Sequence, residues 1–73
     1  MSHSHCDLRE ELYTRLTDQE YNCAREELND AIYWCERGND ERTYNALICA
    51  ADVLARAGEA HAASVVRDYA RFF

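Results

Sequence analysis

Gly38 and Gly58 are the only glycines in this chain, and it contains no proline. Sheets joined by tight turns draw heavily on both residues. A sequence this poor in backbone breakers is confined to a few long helical segments. Apolar residues recur at helical spacing throughout. The expected fold class is all-α: a compact up-down bundle of three longer helices plus a short N-terminal helix. With 73 residues there is room for one domain. Residues 1–6 read as a flexible tail and residues 7–73 as a single helical domain. A core this small leaves few residues for a deep catalytic pocket.

The spacing predicts a first helix from Asp7 to Leu16, with Asp7 and Glu10 as a capping box and Leu8, Leu12 and Leu16 as a narrow stripe. Thr17 and Glu20 repeat the box. A second helix then runs from Asp18 to Arg37 and stops at Gly38, burying Tyr21, Ala24, Leu28, Ala31, Ile32 and Cys35. Asn39 or Asp40 caps a third helix that ends near Ala57, before Gly58. Its main face is Tyr44, Leu47, Ile48, Ala51, Leu54 and Ala55, and its back carries Ala46, Cys49, Ala50, Val53 and Ala57. A helix apolar nearly all round is buried on two sides, so the third helix is expected at the centre. A fourth, from Glu59 to Arg71, turns Ala62, Val65, Val66, Tyr69, Phe72 and Phe73 inward. The stretch LARAGEAHAASVVRDYARFF resembles one helix–turn–helix of a tetratricopeptide array in its small residues and glycine turn. An array needs several units, so the resemblance implies only antiparallel packing of neighbouring helices.

The formal net charge is −6, unevenly spread. Residues 1–41 carry eleven acidic and four basic side chains, whereas residues 42–73 carry three and four. Phosphate backbones are bound by Lys and Arg, so direct nucleic-acid binding is not expected. The first half suits a protein partner with a basic surface; the acid also keeps a small protein soluble. No apolar run is long enough to span a membrane, and no secretory signal pattern opens the sequence. The expected location is the cytoplasm. All eight cations are Arg, which points to GC-rich coding.

Cys6, Cys23, Cys35 and Cys49 form no CxxC and fit no zinc spacing. In a cytoplasmic chain they are expected as free thiols, mostly small core residues. The opening SHSHC offers His3, His5 and Cys6 within four residues, but nothing nearby supplies a fourth, fold-held ligand, so no metal site is expected. His61 sits at the edge of the fourth helix's apolar face; a catalytic pair there would need Cys6, Cys23, Cys35 or Cys49 beside it and an orienting acid. There is no Gly-rich phosphate cradle, no oxyanion-hole loop and no cofactor fingerprint. No catalytic residue and no cofactor are assigned.

The polar side of the second helix is more informative. Opposite the core stripe lie Asn22, Glu26, Asn29, Asp30, Tyr33 and Arg37. Glu26 and Asp30 are four apart and repel, at a cost of a few tenths of a kcal/mol. Tyr33 faces water for no folding reason. Trp34 lies off the stripe, with Cys23 and Glu27 near it, on a side well placed for the first helix to pack, so it is read first as core and second as an interface residue. Aromatics and Arg framed by acid are the composition of interface centres. The candidate partner-binding set is Glu26, Asp30, Tyr33, Trp34 and Arg37. Phe72 and Phe73 are read as core.

Three function classes fit: a non-catalytic interaction protein that modulates a larger machine, an acidic nucleic-acid mimic, and a homo-oligomeric structural module. Arg9, Arg15, Arg25 and Arg37 interrupt the acid, which weakens the mimic. In size, motif-free helical build and apparent GC-rich coding, the whole chain resembles small phage-encoded regulators of host RNA polymerase. That resemblance rests on general character. It implies a polymerase subunit as partner and inhibition or antitermination of transcription as the effect.

Overall fold

A computed structural model describes residues 6–73; His3 and His5 lie outside them. The described residues form five helices and no strand: α1 (Leu8–Arg15), α2 (Asp18–Cys23), α3 (Arg25–Glu36), α4 (Asp40–Arg56) and α5 (Ala60–Ala70). The long helices α3, α4 and α5 pack in succession, with α4 in the middle. The architecture is the all-α bundle expected from the sequence, with one helix more.

The extra helix comes from a break at Ala24. The second predicted helix is two, α2 and α3, because Ala24 leaves helical geometry (φ −124°, ψ 36°). Alanine is the strongest helix former, so local propensity does not cause the break. Ala24 and Tyr21 are both buried at the break. Tyr21 sits edge-on to Tyr13, 5.0 Å between ring centroids, and its hydroxyl donates to Asn29 Oδ1. The Thr17–Glu20 capping box forms as expected, with Glu20 N–H donating to Thr17 Oγ1 (3.1 Å) and Thr17 N–H to Glu20 Oε1 (2.9 Å). The box expected at Asp7 does not form: the Asp7 side chain makes no capping hydrogen bond to α1.

Both glycines end helices in the same way. Gly38 and Gly58 have φ of +76° and +84°, where a Cβ is disfavoured. Asn39 N–H bonds back to Trp34 C=O and Gly38 N–H to Cys35 C=O; Glu59 and Gly58 repeat the pattern onto Leu54 and Ala55. These paired bonds satisfy otherwise orphaned helix-end carbonyls. They also fold α4 back on α3, and α5 back on α4. Asn39 then caps α4 by accepting from Arg42 N–H at 3.1 Å.

The core contains Leu8, Leu12, Leu16, Leu28, Ile32, Leu47, Leu54 and Val66, with alanines at the close approaches. On α4 the buried residues are Thr43, Ala46, Leu47, Ala50, Ala51 and Leu54, an arc of roughly 140° at 100° per residue. Thr43 stays satisfied there by donating to Asn39 C=O at 2.8 Å. The arc lies to one side of the predicted main face. Tyr44 (43 % exposed), Ile48 (37 %) and Ala55 fall beyond its edge, and Cys49 and Ala57 of the predicted back are exposed too. Leu47 and Leu54, with Ala46, Ala50 and Ala51 beside them, form the face on which the neighbouring helices meet α4.

Two further expectations are corrected. Cys6 and Cys35 are not free thiols: they form a disulfide, with Cα atoms 5.9 Å apart. Cys6 therefore belongs with the bundle. Cys23 and Cys49 are free and exposed. Phe72 and Phe73 do not extend the core face of α5, because the helix ends at Ala70 and the chain closes in tight turns from Tyr69 and Ala70. Phe72 is 81 % exposed.

Candidate protein-interaction site

Trp34 is half-buried, not a core residue. The first helix does not pack over it. α1 instead meets the Cys35–Glu36 side of α3, through the disulfide and an Arg9–Glu36 ion pair at 3.3 Å. That bond and charge raise the Arg9 pKa further above its ordinary value. α1 also reaches α5: Tyr69 donates to Glu11 at 2.7 Å and Arg15 donates to the Tyr69 hydroxyl at 3.3 Å. Burial, followed by the Glu11 bond, pushes the Tyr69 hydroxyl pKa up.

With α1 elsewhere, the α3 aromatics are left to one another and to two arginines. Tyr33 and Trp34 meet edge to face, 4.9 Å between centroids. The Arg37 guanidinium lies 3.6 Å from the Tyr33 ring centroid and donates to the Tyr33 carbonyl at 3.3 Å. Arg42, on the first turn of α4, lies 4.8 Å from the Trp34 centroid. The result is an alternating row, Arg37–Tyr33–Trp34–Arg42, across the α3–α4 turn. Each cation–aromatic contact at an exposed site is worth about 0.5–1 kcal/mol. These contacts hold the rings in place without hiding them: Tyr33 remains 44 % exposed.

Carboxylates flank the row. Glu26, Glu27, Asn29, Asp30 and Tyr33 line one shallow depression. An adjoining open groove of about 560 Å³ runs between α3 and α4, with Asp30, Trp34, Glu41, Arg42, Asn45 and Cys49 among its walls. Asp30 belongs to both. Of the sequence-predicted set, Glu26, Asp30 and Tyr33 share the first depression, Asp30 and Trp34 share the groove, and Arg37 braces Tyr33. Sequence reasoning left Glu27 out of the set and missed Arg42 and the α4 wall. The GND turn was the available signal, since folding α4 back after Gly38 sets its first turn beside the last turns of α3.

Chemically this is a surface of mixed character. It offers two aromatic faces, fixed guanidinium donors and a rim of carboxylate acceptors. The groove holds one thiol, Cys49, and no imidazole; His61 is exposed on α5. Among the described residues, no group of three or more His, Cys, Asp or Glu side chains is placed to hold a metal ion, and no helix is long and apolar enough to cross a membrane. Comparisons with family models, curated proteins and solved structures each return no match.

Proposed function

We propose that this chain is a non-catalytic interaction protein that docks through the Arg37–Tyr33–Trp34–Arg42 row onto a basic protein surface. The observation that carries the reading is the row itself: two aromatic rings braced by arginines, outside the core and ringed by Glu26, Glu27 and Asp30. Preformed aromatic anchors lose little conformational freedom on binding. The surrounding carboxylates attract a basic partner and raise the encounter rate. Arg37 and Arg42 stand inside the acidic face, which disfavours a nucleic-acid mimic, since a mimic needs an uninterrupted line of negative charge.

The resemblance to small phage regulators makes a bacterial RNA polymerase subunit the partner to test first, in the cytoplasm, with inhibition or antitermination of transcription as the outcome. The test titrates fluorescently labelled chain with purified core and holoenzyme at low and high salt, alongside promoter-directed transcription. The expected result is saturable binding that weakens with salt, together with altered transcript yield. Absence of binding to both enzyme forms, with the bundle intact, overturns the polymerase assignment.

A further inference from the structure

We infer that the Cys6–Cys35 disulfide is a redox-controlled latch that holds α1 closed across α3 and α5. The three long helices pack along their lengths, each with its own buried residues. α1 has eight residues. It is seated by Leu8, Leu12 and Leu16, by the edge-on contact of Tyr13 with Tyr21 on α2, and by exposed polar links: Arg9 to Glu36 on α3, and Glu11 and Arg15 to Tyr69 on α5. Among the described residues, the disulfide is its only covalent tie besides the chain itself.

The other end of α1 is built as a hinge. Leu16 (φ −113°, ψ 144°) and Thr17 (φ −72°, ψ 163°) are extended. Thr17 is committed to capping α2, so a displaced α1 pivots there without unwinding α2. The latch is also reachable. Cys6 is only partly buried. Both bonded cysteines border an open cavity of about 460 Å³, shared with Leu8, Tyr69, Phe72 and Phe73. Cys35 is 9 % exposed and faces the core.

A dithiol reductant opens the latch by ordinary exchange. Its thiolate attacks Cys6 Sγ, the Cys6–Cys35 bond breaks, and Cys35 leaves as a thiolate that takes up a proton. The reductant's second thiol then displaces Cys6, which is released as a thiol once protonated, and the reductant departs as a disulfide. Two electrons pass from reductant to protein. In a cytoplasmic setting, where thiol pools are reducing, such bonds are characteristically transient. The consequence is specific to one flank. α1 comes free with Leu8 and Leu12, Tyr13 leaves Tyr21, and the α3–α5 side that α1 covered is exposed. Neither Tyr33 nor Trp34 lies on that side, so the device is independent of the proposed docking row.

Hydrogen exchange followed by mass spectrometry on the full chain tests this, comparing the oxidised protein with protein treated with dithiothreitol and with the Cys6→Ser variant. Freeing one end of a segment of about ten residues relaxes its closure by about tenfold or more. Amides of α1 are therefore expected to exchange about tenfold or more faster when reduced or in Cys6→Ser. The α3–α5 core amides stay protected, and reoxidation restores the wild-type pattern. The inference is overturned if dithiothreitol leaves the bond intact, if α1 exchange is unchanged on reduction, or if the whole bundle loses protection together. The last result would make the disulfide a structural staple.

Discussion

Leu12→Ala is the substitution in which the packing of α1 and its latch meet. Leu12 is fully buried at the middle of α1. Truncating such a leucine costs about 2–5 kcal/mol when the element carrying it unfolds with the rest. That condition depends on the disulfide. A cross-link between positions 29 apart in sequence removes about 3.5 kcal/mol of chain entropy from the unfolded state in the loop-closure account. It also keeps α1 close to its seat in the folded one. In the oxidised chain α1 is thus part of the cooperative unit, and Leu12→Ala is expected to lower stability by about 2–3 kcal/mol. In the reduced chain α1 detaches before the bundle melts. The loss is then capped by the free energy of seating α1, and the expected effect falls below about 1 kcal/mol. Urea denaturation of both proteins, with and without reductant, measures the difference. Leu47→Ala, fully buried on the central helix, is the control and should cost about 2–5 kcal/mol in both states. Equal losses for Leu12→Ala in the two redox states would refute the reasoning.

Three smaller perturbations test the rest of the framework. Thr17→Ala removes the α2 capping box and should lower stability by about 1 kcal/mol in chemical denaturation. Gly58→Ala meets no atom within 4 Å, so its cost is the backbone alone at φ +84°, about 1–2 kcal/mol by thermal unfolding. Burial, with Tyr13 beside it, pushes the Tyr21 hydroxyl from the ordinary value near 10 up to about 12. The unfolded chain therefore loses this proton first, so the stabilising contribution is complete below pH 10 and is lost as pH rises towards 12. Alkaline denaturation monitored with tyrosinate absorbance should show stability falling across that window, and Tyr21→Phe should flatten the fall.

The helix-ending glycines, the Thr17–Glu20 box and the buried stripe from Tyr21 to Cys35 were all legible in the sequence, because each is a local rule written in residue type and spacing. What escaped is non-local. The break at Ala24 falls on a strong helix former, and nothing about alanine announces it. The rotation of α4 that buries Ala46 and Ala50 and leaves Tyr44 and Ile48 outside depends on how α3 and α5 pack against it. The disulfide joins residues whose spacing matches no motif, and only the path of α1 along α3 brings Cys6 to Cys35. At the candidate site, Tyr33 was identifiable because it lies opposite the core stripe. Its brace by Arg37 follows from the i, i+4 spacing. Trp34 was harder to place, since its surroundings depend on which side α1 takes. Arg42 needed the fold of the GND turn.

In the proposed function, the α3 aromatics serve binding, with little share in folding. The most direct measurement is the affinity of Tyr33→Ala for purified RNA polymerase, beside its thermal unfolding. Tyr33 is 44 % exposed and its ring meets only Trp34 and Arg37 among the described aromatic and cation contacts. The variant should therefore stay within about 1 kcal/mol of wild-type stability. Its affinity should fall by about 2 kcal/mol or more, about thirtyfold. Unchanged affinity in a folded variant, or a loss of stability large enough to account for the lost binding, would contradict the claim.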